Sequence, residues 1–209
     1  ADMGYEEQVI EGRNAVLEAF RSGKTVDKLF VQEGVQDGPV MSILREARKQ
    51  DTIVNRVKKE RLDQMSQTGH HQGVIAQTAA YCYAGVEDML EAARRKGEPP
   101  FLILLDNMED PHNLGAIIRT ANLAGAHGVI IPKRRAAGLT AVVARTSAGA
   151  LNYTPVAKVT NLGAAIDELK KEGLWFVCAD MGGQARYELD LTGPLGLVSG
   201  NEGSGGLRL

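Results

Sequence analysis

Residues 101–132 read FLILLDNMEDPHNLGAIIRTANLAGAHGVIIP, and this stretch decides the fold. Five apolar residues, Phe101 to Leu105, predict a short buried strand. Asp106 to Asn113 is rich in turn formers, a helix follows, and Val129 to Ile131 predicts a second apolar strand. Asn113 reads as the helix N-cap and Gly125 as its C-terminal glycine. Leu114, Ile117, Ile118 and Ala121 fall at helical spacing and are expected to form the buried stripe. Gly115, Arg119 and Asn122 recur on another face. A helical side chain leans toward its own N-terminus, so Arg119 is expected to reach back over Gly115 toward Asn113. A cation leaning toward the positive end of a helix dipole is mildly unfavourable for stability, which suits a working arginine better than a structural one. Taken singly, an asparagine before a helix is most often a cap and a helix arginine a solvated face.

Working outward, 209 residues with 44% hydrophobic and 24% charged composition suffice for one large domain or two small ones. The net charge of −2 announces no nucleic-acid partner. Residues 99–160, however, hold six Lys and Arg against three acids, a modest basic patch that suits docking on RNA phosphates but by itself fits many other partners. Cys82 and Cys178 are far apart, so neither a disulfide framework nor a metal site is expected. No run is long and apolar enough to span a membrane and no signal-peptide pattern opens the chain, so the expected location is the cytoplasm.

Residues 1–6 are expected to be a disordered start. VIEGRNAVLEAFRSG, from Val9, predicts a helix capped by Asn14 and stopped near Gly23. Strands at KLFVQ and TIVNRV alternate with helices at VMSILREARKQ and KKERLDQMSQ, and a last strand starts at Gly73. This makes residues 1–85 a compact α/β domain. VEDMLEAARRKGEPP predicts a charged helix and a Gly-Pro boundary, so 86–100 is read as a linker and 101–209 as the second α/β domain. There, 138–148 predicts a helix, LNYTPVAKV a strand region, 162–172 an amphipathic helix, and 174–178 and 195–198 buried strands.

NMEDPHNLGAIIRTANLAGAHGVII, taken whole, resembles the first motif of the SpoU/TrmH family of SPOUT RNA 2'-O-ribose methyltransferases. GLTAVVARTSAGAL resembles the segment that lines the RNA side of the cleft in that family. IEGRNAVLEAF and HQGV are similar to the N-terminal domain of its rRNA-modifying branch, which has the fold of a ribosomal protein that binds kink-turn RNA. The resemblance implies a C-terminal SPOUT domain with a trefoil knot and a homodimer whose RNA site spans both subunits. S-adenosylmethionine is the implied methyl donor, and a ribose 2'-hydroxyl of a guanosine in large-subunit rRNA the implied acceptor. Arg119 would orient the 2'-hydroxyl and balance developing negative charge, with Asn113 and Glu202 positioning it.

Two glycine turns sit at strand ends, where open α/β sheets bind ligands. GNEGSGG is neither a P-loop nor a GxGxxG fingerprint, and by itself it reads as a flexible turn. It resembles the second motif of the family. The donor-binding residues thereby implied are Ala179, Asp180, Met181 and Gly182 at one strand end, and Val198, Ser199, Gly200, Asn201 and Gly203 at the other. The RNA contacts expected are Arg13, His71, Gln72, Lys133, Arg134, Arg135 and Arg145. For Asn14 a cap, and for the His70-His71-Gln72 run a polar turn, are the competing readings. The third family motif, which would thread the knot, is absent before Leu209, and the gene is expected to continue. Competing functions are a tRNA 2'-O-methyltransferase, a catalytically silent RNA-binding or ribosome-assembly factor, and a nicotinamide enzyme, the last disfavoured by the missing GxGxxG.

Overall fold

The computed structural model describes residues 9–79, 81–180 and 193–200. The expectation for residues 1–6 lies outside them. The chain forms two compact units, Ala1–Cys82 and Tyr83–Leu209.

In the first unit, β1 (Val9–Glu11), β2 (Val26–Gln32), β3 (Ile53–Val57) and β4 (Val74–Thr78) form one sheet in the order β1-β4-β2-β3. β4 runs antiparallel to both neighbours, and β2 and β3 are parallel. Helices α1 (Arg13–Arg21) and α2 (Gly38–Lys49) bury Val16, Ala19, Phe20, Val40, Ile43 and Ala47 against Leu29, Val31, Val74 and Ala76. α3 (Lys59–Met65) contributes Leu62. The expected helix from Val9 is corrected: Val9–Glu11 pairs with β4, and α1 starts only after Gly12, the N-cap at φ 88°. Asn14 therefore lies inside the helix and does not cap it.

Glu11 closes the end of β1. Its carboxylate accepts hydrogen bonds from Ser66 Oγ (2.5 Å), Gln67 N (2.5 Å), Thr68 N (3.2 Å) and Thr68 Oγ1 (2.8 Å). Desolvation pushes its pKa up, but the hydrogen bonds to the charged form prevail and hold it below the ordinary 4.5.

In the second unit, β5 (Phe101–Asp106), β6 (Gly128–Pro132), β7 (Val156–Val159), β8 (Trp175–Asp180) and β9 (Leu195–Gly200) form a sheet in the order β7-β6-β5-β9-β8. All its pairings are parallel. α4 (Val86–Lys96) and α7 (Leu162–Lys171) cover one side, with Met89, Leu90, Leu162, Ile166 and Leu169 packed on Leu102, Leu104, Ile130, Ala157 and Val198. The helix in the stretch read as a linker thus adds Met89 and Leu90 to this core, Met89 filling the space left open by Gly128. Its basic end is exposed, with Arg94 and Arg95 paired to Glu91. The chain entering β5 is tied down by buried His127, which accepts from Phe101 N (3.0 Å) and meets Glu98 Oε2 at 2.8 Å.

α5 (Pro111–Leu123) and α6 (Ala141–Thr146) pack closely. Leu114, Ile118 and Ala121 are buried as expected, and Ile117 is half-buried. Gly115 is also buried: a Cβ there would lie 1.7 Å from Thr146 Oγ1, 2.7 Å from Thr146 Cβ and 3.0 Å from Ser147 N. Its missing side chain serves the helix contact, and Thr146 fills the space over which Arg119 was expected to reach. The 138–148 helix is shorter than expected, because Thr140 caps it by accepting from Val143 N (3.3 Å). The start of the LNYTPVAKV strand region is instead a 3-10 helix, Ala150–Asn152.

Two outcomes follow from this packing and from Glu11. Overpacking costs about 1–3 kcal/mol and outweighs the about 1 kcal/mol that alanine gains over glycine inside a helix. Gly115→Ala is therefore expected to lower the urea midpoint, whereas a raised midpoint would show that Thr146 yields. Glu11 binds its proton less tightly folded than unfolded, so its stabilisation is present above pH 4.5 and is lost as pH falls through the lower folded value. Acid should accordingly reduce the thermal midpoint more in wild type than in Glu11→Gln; equal losses would remove Glu11 as the cause.

Candidate functional site

The topology places a site at the carboxyl edge of the second sheet. The chain passes from β5 outward through β6 to β7, returns to the far edge as β8, and enters β9 between β8 and β5. The reversal falls beside β5, and such switch points open a crevice at the strand ends. Register makes those ends level: Leu105 pairs with Ser199 and Asp106 with Gly200, while Ala179 and Asp180 meet the same two residues from the other side. Ala179, Asp180, Val198, Ser199 and Gly200, expected to touch one ligand, are brought together along the backbone. Met181, Gly182, Asn201, Glu202 and Gly203 lie outside the described residues.

Ser199 is 7% exposed, and among the described residues its Oγ has no hydrogen-bond partner. A buried hydroxyl without a partner keeps its desolvation cost uncompensated, which marks it as a group awaiting one.

Two loops cross this edge. The one leaving β5 turns at Asn107 (φ 55°) and delivers the chain to Asp110, whose side chain accepts from His112 N at 2.9 Å. Asp110 is thus the N-cap of α5 and Pro111 its first residue; Asn113, expected as the cap, is exposed within the first turn. The cap was legible as Asp-Pro, since proline suits the first helical position. The helix stops where Gly125 was expected to stop it: Gly125 N donates to Asn122 O (3.2 Å) and Ala126 N to Ala121 O (2.9 Å). The loop leaving β6 carries Lys133, Arg134 and Arg135, the last at φ 59°. It is fastened to the first loop by the bridge Met108–Ala136 and by Ala137 N donating to Met108 O at 2.7 Å.

Arg119 is exposed, and among the described residues no hydrogen bond or ion pair holds its guanidinium or joins it to Asn113. It lies about 12 Å along the helix axis from Pro111. Asn122, grouped with it by spacing, is occupied elsewhere, its Oδ1 accepting from Thr154 Oγ1 at 3.2 Å. Arg134, Arg135 and Arg145 are exposed, and Lys133 is half-buried.

The first unit brings its expected residues together, but to hold one another. Arg13 N donates to Gln72 Oε1 (3.0 Å), Arg13 Nε to Gln72 O (3.2 Å), and its guanidinium pairs with Asp37 at 2.6 Å. His71 is 5% exposed, and its ring meets Asp63 Oδ1 (2.7 Å) while accepting from Gly73 N (3.0 Å). With both ring nitrogens engaged inside the fold, His71 shapes the turn before β4.

Residues 100–208, just over half of the chain, match the family model of the SpoU rRNA methylases. The chain belongs to this family. Its members are RNA methyltransferases, and residues 9–84 match a second family model, RNA 2'-O ribose methyltransferase substrate binding. A Bacillus subtilis protein assigned to the TrmH family of tRNA/rRNA methyltransferases is 45% identical over 99% of this chain and 83% of its own. A Staphylococcus haemolyticus protein of the same assignment is 43% identical over 98% and 82%. Among solved structures, the SpoU methyltransferase AviRb from Streptomyces viridochromogenes, in complex with AdoMet, shares the fold with a TM-score of 0.51 at 23% identity, covering 97% of this chain and 75% of that one.

For this SpoU-family chain the orphaned Ser199 hydroxyl gives a stability test. Ser199→Ala removes an uncompensated buried hydroxyl, a group that costs about 1–3 kcal/mol when unpaired. The ligand-free variant is expected to melt no lower than wild type. A lower midpoint would mean that the hydroxyl is already satisfied.

Proposed function

We propose that this protein transfers the methyl group of S-adenosylmethionine to a ribose 2'-hydroxyl of RNA, with a guanosine in large-subunit rRNA as acceptor. One observation carries the reading. Strands β5, β9 and β8 end level at the switch point, where the Ser199 hydroxyl has no partner among the described residues, and α5 leaves the same edge bearing Arg119. Level backbone ends and a free hydroxyl suit a polar, flat donor. Ala179, Asp180, Val198, Ser199 and Gly200 would hold it, with Met181, Gly182, Asn201 and Gly203 completing the pocket. When bound, S-adenosylmethionine supplies an electrophilic methyl on a sulfonium.

The protein's part is to prepare the acceptor. A ribose hydroxyl is a weak nucleophile until its proton leaves or its negative charge is balanced. A guanidinium keeps its charge in proteins, so Arg119 acts as donor and counter-charge rather than base. It orients the 2'-oxygen and stabilises the charge that develops there, while Asn113 and Glu202 position it and a phosphate of the RNA takes the proton. Lys133, Arg134, Arg135 and Arg145 grip the phosphates, which fixes orientation without reading sequence. The 1–85 domain presents the RNA, with Arg13 and Gln72 at its contact surface. The protein acts as a cytoplasmic homodimer with the RNA site spanning both subunits. Because the relatives are assigned to tRNA and rRNA together, tRNA is the second acceptor to test.

Arg119→Ala is the decisive variant. Methyl transfer to RNA should fall at least about 100-fold, the scale for losing one donor to a developing oxyanion. The affinity for S-adenosylmethionine by titration calorimetry should stay close to wild type. Lost donor binding in this variant would make Arg119 structural, and unchanged transfer would remove it from the reaction.

A further inference from the structure

Tyr83 stands just before α4, yet its hydroxyl accepts a hydrogen bond from Leu139 N, 56 positions later, at 3.1 Å. Its ring is fixed from the side of β7: the Lys158 ammonium lies 4.5 Å from the ring centroid, and the adjacent Ala84 N donates to Val156 O at 2.9 Å. Lys133 N donates to Val159 O at 2.9 Å where the 133–140 loop leaves β6, and two further ties hold the loop beyond that point. Met108 O holds Ala137 N at 2.7 Å on one side, and the Tyr83 hydroxyl holds Leu139 N on the other. Upstream of these ties Arg135 keeps a left-handed φ of 59°, which a non-glycine residue holds only when its surroundings impose it. Downstream, Thr140 caps α6, which carries Arg145 in its last turn. One hydroxyl therefore sets the junction between two groups of cations.

We propose that Tyr83 is a positioning residue for the nucleic-acid substrate, its hydroxyl holding the 133–140 loop where Lys133, Arg134, Arg135 and Arg145 together meet the phosphate backbone. This rests on the reading of that loop as an RNA contact, but it assigns the placement of the loop to a residue outside every motif. Tyr83 touches neither RNA nor methyl donor and acts through Leu139.

Tyr83→Phe keeps the ring and its cation contact and deletes only the hydroxyl. Amide hydrogen exchange within 133–140 should accelerate. The KM for RNA should rise about two- to tenfold, as fits the loss of one neutral hydrogen bond, and the thermal midpoint should fall slightly because buried Leu139 N loses its acceptor, while kcat at saturating RNA and donor affinity stay near wild type. Tyr83→Leu, which also removes the ring, should raise the KM further and lower the midpoint. Unchanged exchange in Tyr83→Phe would overturn the proposal. So would faster exchange with an unchanged KM, or a fall in kcat at fixed KM. Failure of the functional reading shows differently: wild type then neither binds nor methylates RNA, whatever Tyr83→Phe does to the loop.

Discussion

Because β9 slots in parallel register between β5 and β8, three strands end at one level, at Asp106, Gly200 and Asp180. Everything at the candidate site hangs from that insertion. A parallel strand cannot follow its neighbour through a tight turn, so each pair needs a crossover, and the crossovers leave the carboxyl edge open where their direction reverses. The buried residues Leu102, Leu104 and Val198 hold the strands in place against α4 and α7. The same register leaves the Ser199 hydroxyl buried at the edge, without a partner among the described residues. The site thus carries an uncompensated polar group that the core tolerates.

The second constraint is the approach of α5 to α6. Gly115 has no Cβ because Thr146 and the backbone at Ser147 occupy its place. This contact couples the helix bearing Asn113 and Arg119 to the one carrying Arg145 in its last turn. The bridge between Met108 and Ala136 couples the loops that precede them. Among the described residues Arg119, Arg134, Arg135 and Arg145 have no ion pair, so their collective geometry is set by buried and backbone contacts.

Long periodic segments were legible in the sequence. The β5–α5–β6 unit reads directly, since apolar strands flank a helix with an unbroken buried stripe and a C-terminal glycine. Local signals failed where non-local pairing or competing caps decided the outcome. Val9–Glu11 is too short to show alternation and becomes a strand only through β4, far along the chain. Asn113 looked like a cap because asparagine often is one, but Asp110 followed by Pro111 takes the role three residues earlier. His71 sits in a polar-looking run, and nothing local shows that Asp63 and Gly73 N will enclose its ring. Tyr83 and Ser199 carried no local signal either, for their meaning lies in a distant amide and in a missing partner.

The most direct measurement follows label from methyl-labelled S-adenosylmethionine into RNA and then subjects that RNA to alkaline hydrolysis. A methyl group on a ribose 2'-oxygen prevents that oxygen from attacking the adjacent phosphate. Label is therefore expected in alkali-stable dinucleotides. Label recovered in mononucleotides would place the methyl on a base and contradict the account.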